Sequence, residues 1–331
     1  MTSSEQNSTG APRSGMSRRF AWFAFAILAA IGLYTAGWFY AADRLEGEVA
    51  NAIAKARARG AEADCTHAQA RGYPFRLGLF CDGVAYSDRS AGVALTGMGL
   101  RSAAQIYQPS RIVGELDTLR LELAEGVGLR IDLTDIRYST RLASPLPGIL
   151  SVSGETVTAT ALSGDPLAAA RNAEAHMRPN GVDLDLAARF LGLTIEPAAG
   201  VPAGLPPLDG DVDLTLVDGV ARAAGPQRSL RGLSTEIRNL TVNTGEAGVT
   251  ISGPFAIDAA GLVDATLTLS IRNPTALAAI LATALPEMRP QLAQAEVLIT
   301  AMGDNPQLPL AITKGQIRLG FFTLGRIPPL G

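Results

Sequence analysis

The sequence predicts a mainly β fold with minor α, a curved antiparallel sheet behind one N-terminal transmembrane helix. Three observations predict it. An uncharged run of apolar residues spans Phe20–Ala42, the remaining chain alternates apolar with polar residues in many short segments, and glycine and proline punctuate those segments. Period two with a wet face between greasy positions is the signature of antiparallel strands covered on one side only.

The elements follow in chain order. Residues 1–19 are rich in Ser, Gly, Asn and Pro and read as a disordered cytoplasmic arm. Phe20–Ala42 is long enough to cross a hydrocarbon layer of about 30 Å. Trp22 at one end, and Trp38 and Tyr40 at the other, fit the interfacial aromatic belt. Arg13, Arg18 and Arg19 precede the span, whereas Asp43, Glu46 and Glu48 follow it with Arg44. Positive flanks stay inside, so the bulk of the chain is expected in the periplasm of a single-pass inner-membrane protein. A cleaved signal would need small residues before its cut, and Phe39-Tyr40 stand there instead. Ser17-Arg18-Arg19-Phe20 is similar to a twin-arginine signal, but the Phe is one position early and the apolar run is too long.

Residues 43–60 continue as a stalk helix, with Leu45, Val49, Ala52, Ile53 and Ala56 on one stripe and Gly60 as its stop. Residues 61–331 form the β-rich domain. Leu119, Leu121 and Leu123 alternate with polar neighbours, as do Leu129, Ile131 and Leu133, then Val212, Leu214 and Leu216, then Leu267, Leu269 and Ile271. Ala173, Ala175 and Met177 lead into Pro179-Asn180-Gly181, and Val182, Leu184 and Leu186 return, which predicts a hairpin with a tight Asn-Gly turn. GVPAGLPP at 200–207 is the best internal boundary, dividing the domain into two candidate halves. Asn273-Pro274 predicts a helix start, Gln291–Met302 a second helix, and Lys314-Gly315 a turn between closing strands.

The two cysteines, Cys65 and Cys81, flank Tyr73-Pro74 symmetrically. A hairpin turning there sets them opposite each other, and an oxidising compartment favours pairing. Buried free thiols are the bland alternative. A metal site would need more than His67 beside them, and the redox Cys-x-x-Cys spacing is missing. The expectation is a disulfide that staples the start of the domain.

Composition narrows the chemistry. Net charge is −3, and Lys55 and Lys314 are the only lysines, so no basic stripe suits nucleic acid. Aromatics are only 5% of residues, which points to a thin aliphatic core. No nucleophile elbow, phosphate loop, dinucleotide fingerprint or zinc-protease motif is present. His176 lies on the polar face of the expected hairpin. Asp183 and Asp185, like Asp211, Asp213 and Asp218, alternate as a wet strand face does; they lack the glycine and distal glutamate of a calcium loop. No catalytic, cofactor-binding or metal-binding residue is assigned, and the expectation is a protein that is not an enzyme.

Cys65, then Gly72-Tyr73-Pro74-Phe75-Arg76, then Cys81 resemble the opening motif of a bacterial envelope family, domain of unknown function 2125. Lys314-Gly315, Leu319-Gly320, Leu324-Gly325 and Ile327-Pro328-Pro329 resemble its C-terminal part. The family looks distantly similar to AsmA-like envelope proteins, whose periplasmic sheets form long grooves that accommodate lipid. The resemblance implies that the faces carrying Leu214, Leu216, Leu267, Leu269 and Ile271 line a lipid-sized groove, against the alternative of an ordinary closed core. The leading expectation is therefore an anchored periplasmic protein that binds or shields phospholipid or another envelope lipid. The rival is a scaffold that holds envelope proteins by a sheet edge.

Overall fold

A computed structural model describes residues 15–124, 128–201, 204–225, 229–285, 287, 289–303, 305–320 and 322–330. One helix, α1 (Gly15–Ala58), runs unbroken through the apolar span and the stalk. It starts before Phe20, so residues 15–19, expected in the disordered arm, are helical; Arg18 and Arg19 are good helix formers and nothing there breaks the turn. The rest of that arm lies outside the described residues. Trp38, Ala42, Leu45, Val49, Ile53 and Ala56 turn toward the domain, and Ala52 points to solvent.

The described strands after α1 build one sheet. Its first half comprises β1 (Glu62–Thr66), β2 (Gln69–Arg71), β3 (Arg76–Asp88), β4 (Val93–Gln105), β5 (Gln108–Leu123), β6 (Leu129–Arg141), β7 (Ile149–Ala161), β8 (Pro166–Asn180) and β9 (Asp183–Ile195). β10 (Leu208–Leu216), α2 (Gly219–Ala224), β11 (Ser234–Thr244), β12 (Ala247–Ile257) and β13 (Val263–Arg272) follow. α3 (Pro274–Ala284) and α4 (Arg289–Thr300) are inserted before β14 (Gln307–Thr313), β15 (Gln316–Leu319) and β16 (Phe322–Arg326). The 16 strands form a single antiparallel, curved and unclosed sheet in which each strand lies beside its neighbour in sequence, except that β1 and β2 both pair with β3. The proline-rich stretch at 200–207 does not interrupt it, because β9 and β10 pair directly.

Register makes the two faces explicit. Gly114, Tyr138, Val152, Ala175, Ala188, Val212, Leu240, Ile251, Leu269 and Leu308 are successive cross-strand partners from β5 to β14. The row beside it runs Arg101, Glu115, Arg137, Ser153, Glu174, Arg189, Asp211, Thr241, Thr250, Ser270 and Gln307. One row is apolar and the next is polar throughout, so opposite faces of the sheet carry opposite chemistry. Opposite charges facing each other across strands in the polar row favour this pairing.

Mid-strand irregularities bend the sheet. Gly99, Asp135, Thr156, Gly192 and Gly253 have positive φ inside β4, β6, β7, β9 and β12. Registers slip near several of them, as between Thr134 and Arg137. Each bulge kinks its strand and raises the local twist.

A cluster of buried residues lies in the C-terminal part of the sheet. Ile257, Val263, Ala265, Leu267 and Ile312 form a buried core, with Ile317, Ile327 and Leu330 packed against it. The final residues are pinned there, as Ile327 N–H donates to Gly315 O at 2.8 Å and Leu330 N–H to Gly261 O at 2.7 Å. Asn273 caps α3 by accepting from Ala276 N–H at 3.1 Å. The helices meet the sheet at separate places, α1 at β1–β3, α2 at β9 and α3 at β12.

Candidate functional site

The opening motif is a clamp on α1. Gly72 has φ +119, and a Cβ there would stand 2.9 Å from Arg76 O, so only glycine lets the chain turn from β2 into β3. Arg76 N–H closes that turn onto Gly72 O at 3.0 Å. Its outer surface then meets the helix. Trp38 Nε1 donates to Arg76 O at 2.9 Å, Thr35 Oγ1 lies 2.8 Å from the Tyr73 hydroxyl, and the Tyr34 hydroxyl donates to Pro74 O. The Tyr73 ring stands edge-on to Trp38 and stacks on Phe39. Glu46 accepts from Ala70 N–H at 2.7 Å and Arg57 donates to Ala63 O at 2.9 Å, so the stalk is held as well. Phe75 points outward and is 72% exposed.

Behind the clamp, Cys65 of β1 and Cys81 of β3 form a disulfide with a Cα–Cα distance of 5.5 Å. Cys81 is buried. The turn falls at Tyr73-Pro74, where the symmetric spacing puts it, but Cys65 is in register with Val84 and not with Cys81, and the bond ties the edge strand β1 to its neighbour β3.

A cavity of about 730 Å³ opens between α1 and the first strands. Trp38, Ala41 and Leu45 wall it from the helix, and Leu79, Ile112 and Tyr138 from the sheet. Tyr138 lies over Gly114, where any Cβ would come within 2.4 Å of its ring. Burial pushes the Tyr138 phenol up, and a hydrogen bond with Ser102 partly offsets this. The backbone of Leu79 is satisfied by Ser102 Oγ, which accepts from Leu79 N–H at 2.8 Å.

Tyr138 both lines this cavity and belongs to the apolar row. A second hollow of about 380 Å³ lies further along that row, floored by Val152, Ala175, Ala188, Phe190, Val212 and Leu240. These apolar residues are half-buried, and Ala175 is exposed. Among the described residues no second layer of sheet covers them. The residues expected to line a groove divide between two environments. Leu214 and Leu216 of β10 and Leu269 of β13 are half-buried on this face, Leu267 belongs to the packed core, and Ile271 is buried.

The opposite face holds a charge cluster that the alternating aspartates do not reveal. Asp185 is only 8% exposed. Its carboxylate accepts from Arg178 at 2.9 Å, from Thr215 at 2.8 Å and from Arg238 at 3.1 Å, and Arg238 also holds Asp213. The bond from Arg178 is the main reason its pKa falls from 3.8 to about 2; Thr215 and Arg238 add to it and burial opposes it. Asp213 and Asp185 raise the Arg238 guanidinium above its ordinary value. Both are fixed charges with no proton to exchange near neutrality. His176 lies 3.0 Å from Ser151 Oγ, and His67 forms an exposed pair with Asp82 at 2.8 Å. Among the described residues no group of three or more His, Cys, Asp and Glu stands where it could hold a metal ion.

The geometry is thus a long apolar surface beside a helix whose sequence is apolar enough to cross a membrane, with a polar row on the sheet's other face. No curated protein and no solved structure matches the chain. The profile of a family of uncharacterized proteins conserved in bacteria, DUF2125, matches residues 38–328, from Trp38 of the clamp through Pro328 of the closing tail, and the chain belongs to that family.

Proposed function

We propose that this protein is a non-enzymatic, membrane-anchored envelope protein that holds lipid on the apolar face of its sheet. The observation that carries the reading is the cross-strand row from Gly114 to Leu308, apolar at every position and half-buried along most of its length. Water is a poor neighbour for such a strip. Covering it with acyl chain recovers about 25 cal/mol per Å² of apolar area, several kcal/mol per chain.

Three further facts support the placement. The clamp uses Tyr34, Thr35 and Trp38, all inside the apolar span, so a signal-type cut after Ala42 would strip the domain of these contacts and of one cavity wall. A disulfide belongs with export to an oxidising compartment. Charge is greatest before the helix and switches sign after it, which favours the domain outside.

The test is lipid analysis of the full-length protein purified beside a Val212→Glu, Leu240→Glu variant, which places charge on the groove floor while leaving α1 and its annular lipid intact. Excess phospholipid on the wild type over the variant is expected. Equal lipid on both, with crosslinking that recovers one stoichiometric protein partner, would replace the reading with that of an envelope scaffold.

A further inference from the structure

The cavity at α1 has a property that the rest of the apolar face lacks: one of its walls is the membrane helix. Resting on the lipid reading above, we propose that this cavity is a lateral inlet, through which one acyl chain of an outer-leaflet phospholipid passes from the bilayer into the groove.

Depth is the first argument. The helical wall is built from Tyr34, Gly37, Trp38, Ala41 and Leu45. At 1.5 Å per residue, Tyr34 lies about 12 Å before Ala42, the last residue of the uncharged span. The clamp holds Tyr73, Pro74 and Arg76 against Tyr34, Thr35 and Trp38, so this end of the sheet is sunk to the level of the outer leaflet.

The rim has the matching composition. Phe75 is 72% exposed, Tyr107 74% and Leu142 56%, and all three lie in the turns at the same end of β3 to β6. Large apolar and aromatic side chains left bare at one end of a sheet are costly in water and at home in an interfacial belt.

Arg111 and Arg141 are exposed cross-strand partners at this rim, one position from the Ile112–Thr140 pair and therefore on the opposite, polar face. At the strand ends such long cationic side chains reach the phosphate level of a bilayer, while an acyl chain enters past Ile112 on the apolar face. The volume lies within the ~300–1,000 Å³ of ordinary ligand sites. Beyond it, Tyr138 hands the path to Val152 and the rest of the row.

The experiment uses full-length protein reconstituted in phosphatidylethanolamine–phosphatidylglycerol vesicles, with a benzophenone amino acid at Ile112, at Val212 or at Arg120 on the polar face. Mass spectrometry reads phospholipid adducts, expected at Ile112 and Val212 and at least tenfold lower at Arg120. A Gly37→Phe plug enters open space, since a Cβ at Gly37 meets nothing within 4 Å. It should cut the Val212 adduct at least fivefold, and Ala104→Trp should do the same from the opposite wall. Val212 adducts that survive both plugs, or that form without any at Ile112, overturn the inlet and leave the groove standing. Adducts at neither position overturn both.

Discussion

Asp185 shows how a single carboxylate on a thin sheet can be closed off from water. Arg178 lies on the preceding strand and Arg238 two strands further on, and together they cover it. Its folded pKa, about 2, is below the ordinary 3.8, so its contribution is complete above about pH 4 and is lost as pH falls through 2. The difference corresponds to about 2 kcal/mol at most. Urea unfolding of the full-length protein in detergent should show this loss between pH 4 and 2, and Asp185→Asn should abolish that step while costing about 1–2 kcal/mol at pH 7. The disulfide gives a second, independent measurement. Cys65 and Cys81 are 16 residues apart, a loop whose closure is worth about 3 kcal/mol, so Cys65→Ser or reduction should lower the unfolding midpoint accordingly. The staple was legible from two cysteines about a Tyr-Pro turn. The cluster was not, because Asp185 and Arg238 are 53 positions apart and only the β8–β11 registers bring them together.

Among the elements, α1 and the β2–β3 turn act as one unit. Trp38→Ala removes the ring that stands edge-on to Tyr73 and the donor to Arg76 O. Hydrogen exchange should speed up in the Gly72–Arg76 turn and the stalk, and stay unchanged in β12 and β13, where the packed core lies. Equal loss of protection everywhere would mean that the clamp is not local. Strand pairing offers a sharper case at Gly210, where a Cβ would stand 2.3 Å from the Phe190 ring and 3.0 Å from Thr241 O. Gly210→Ala should cost about 1–3 kcal/mol in urea unfolding, as overpacking does. Strands with strict alternation, such as Thr118–Leu123 and Leu267–Ile271, were readable directly. Strand β7 was not. Leu150 and Val152 keep one phase and Val157 and Ala159 the other, because Thr156 at φ +48 inserts a bulge that shifts the pattern by one. Early strands built on Ala and Gly, such as β4, gave equally little contrast.

For the molecule as a whole, the sequence foretold a β-rich body and an apolar leader, and could not show that one sheet runs unbroken through Pro206-Pro207. Pro and Gly mark a long connection as readily as a domain border, and only the β9–β10 pairing separates the two. A far-ultraviolet circular dichroism spectrum dominated by strand is expected, with the α1 contribution as its helical part. A periplasm-active reporter fused after Gly331 should be on, and a cytoplasm-active one off; the reverse result would remove the export on which the lipid reading depends. The wiring carries a last consequence. Since each described strand from β4 to β16 pairs with the one before it, the sheet grows like a ladder to which rungs are added in the order of synthesis. From β4 on a strand needs only its predecessor to dock, so assembly can proceed in the order of synthesis, and loop-closure entropy stays small at each step. Adding or deleting one hairpin would then lengthen or shorten the ladder without rewiring it, so strand number sets the length of its apolar face.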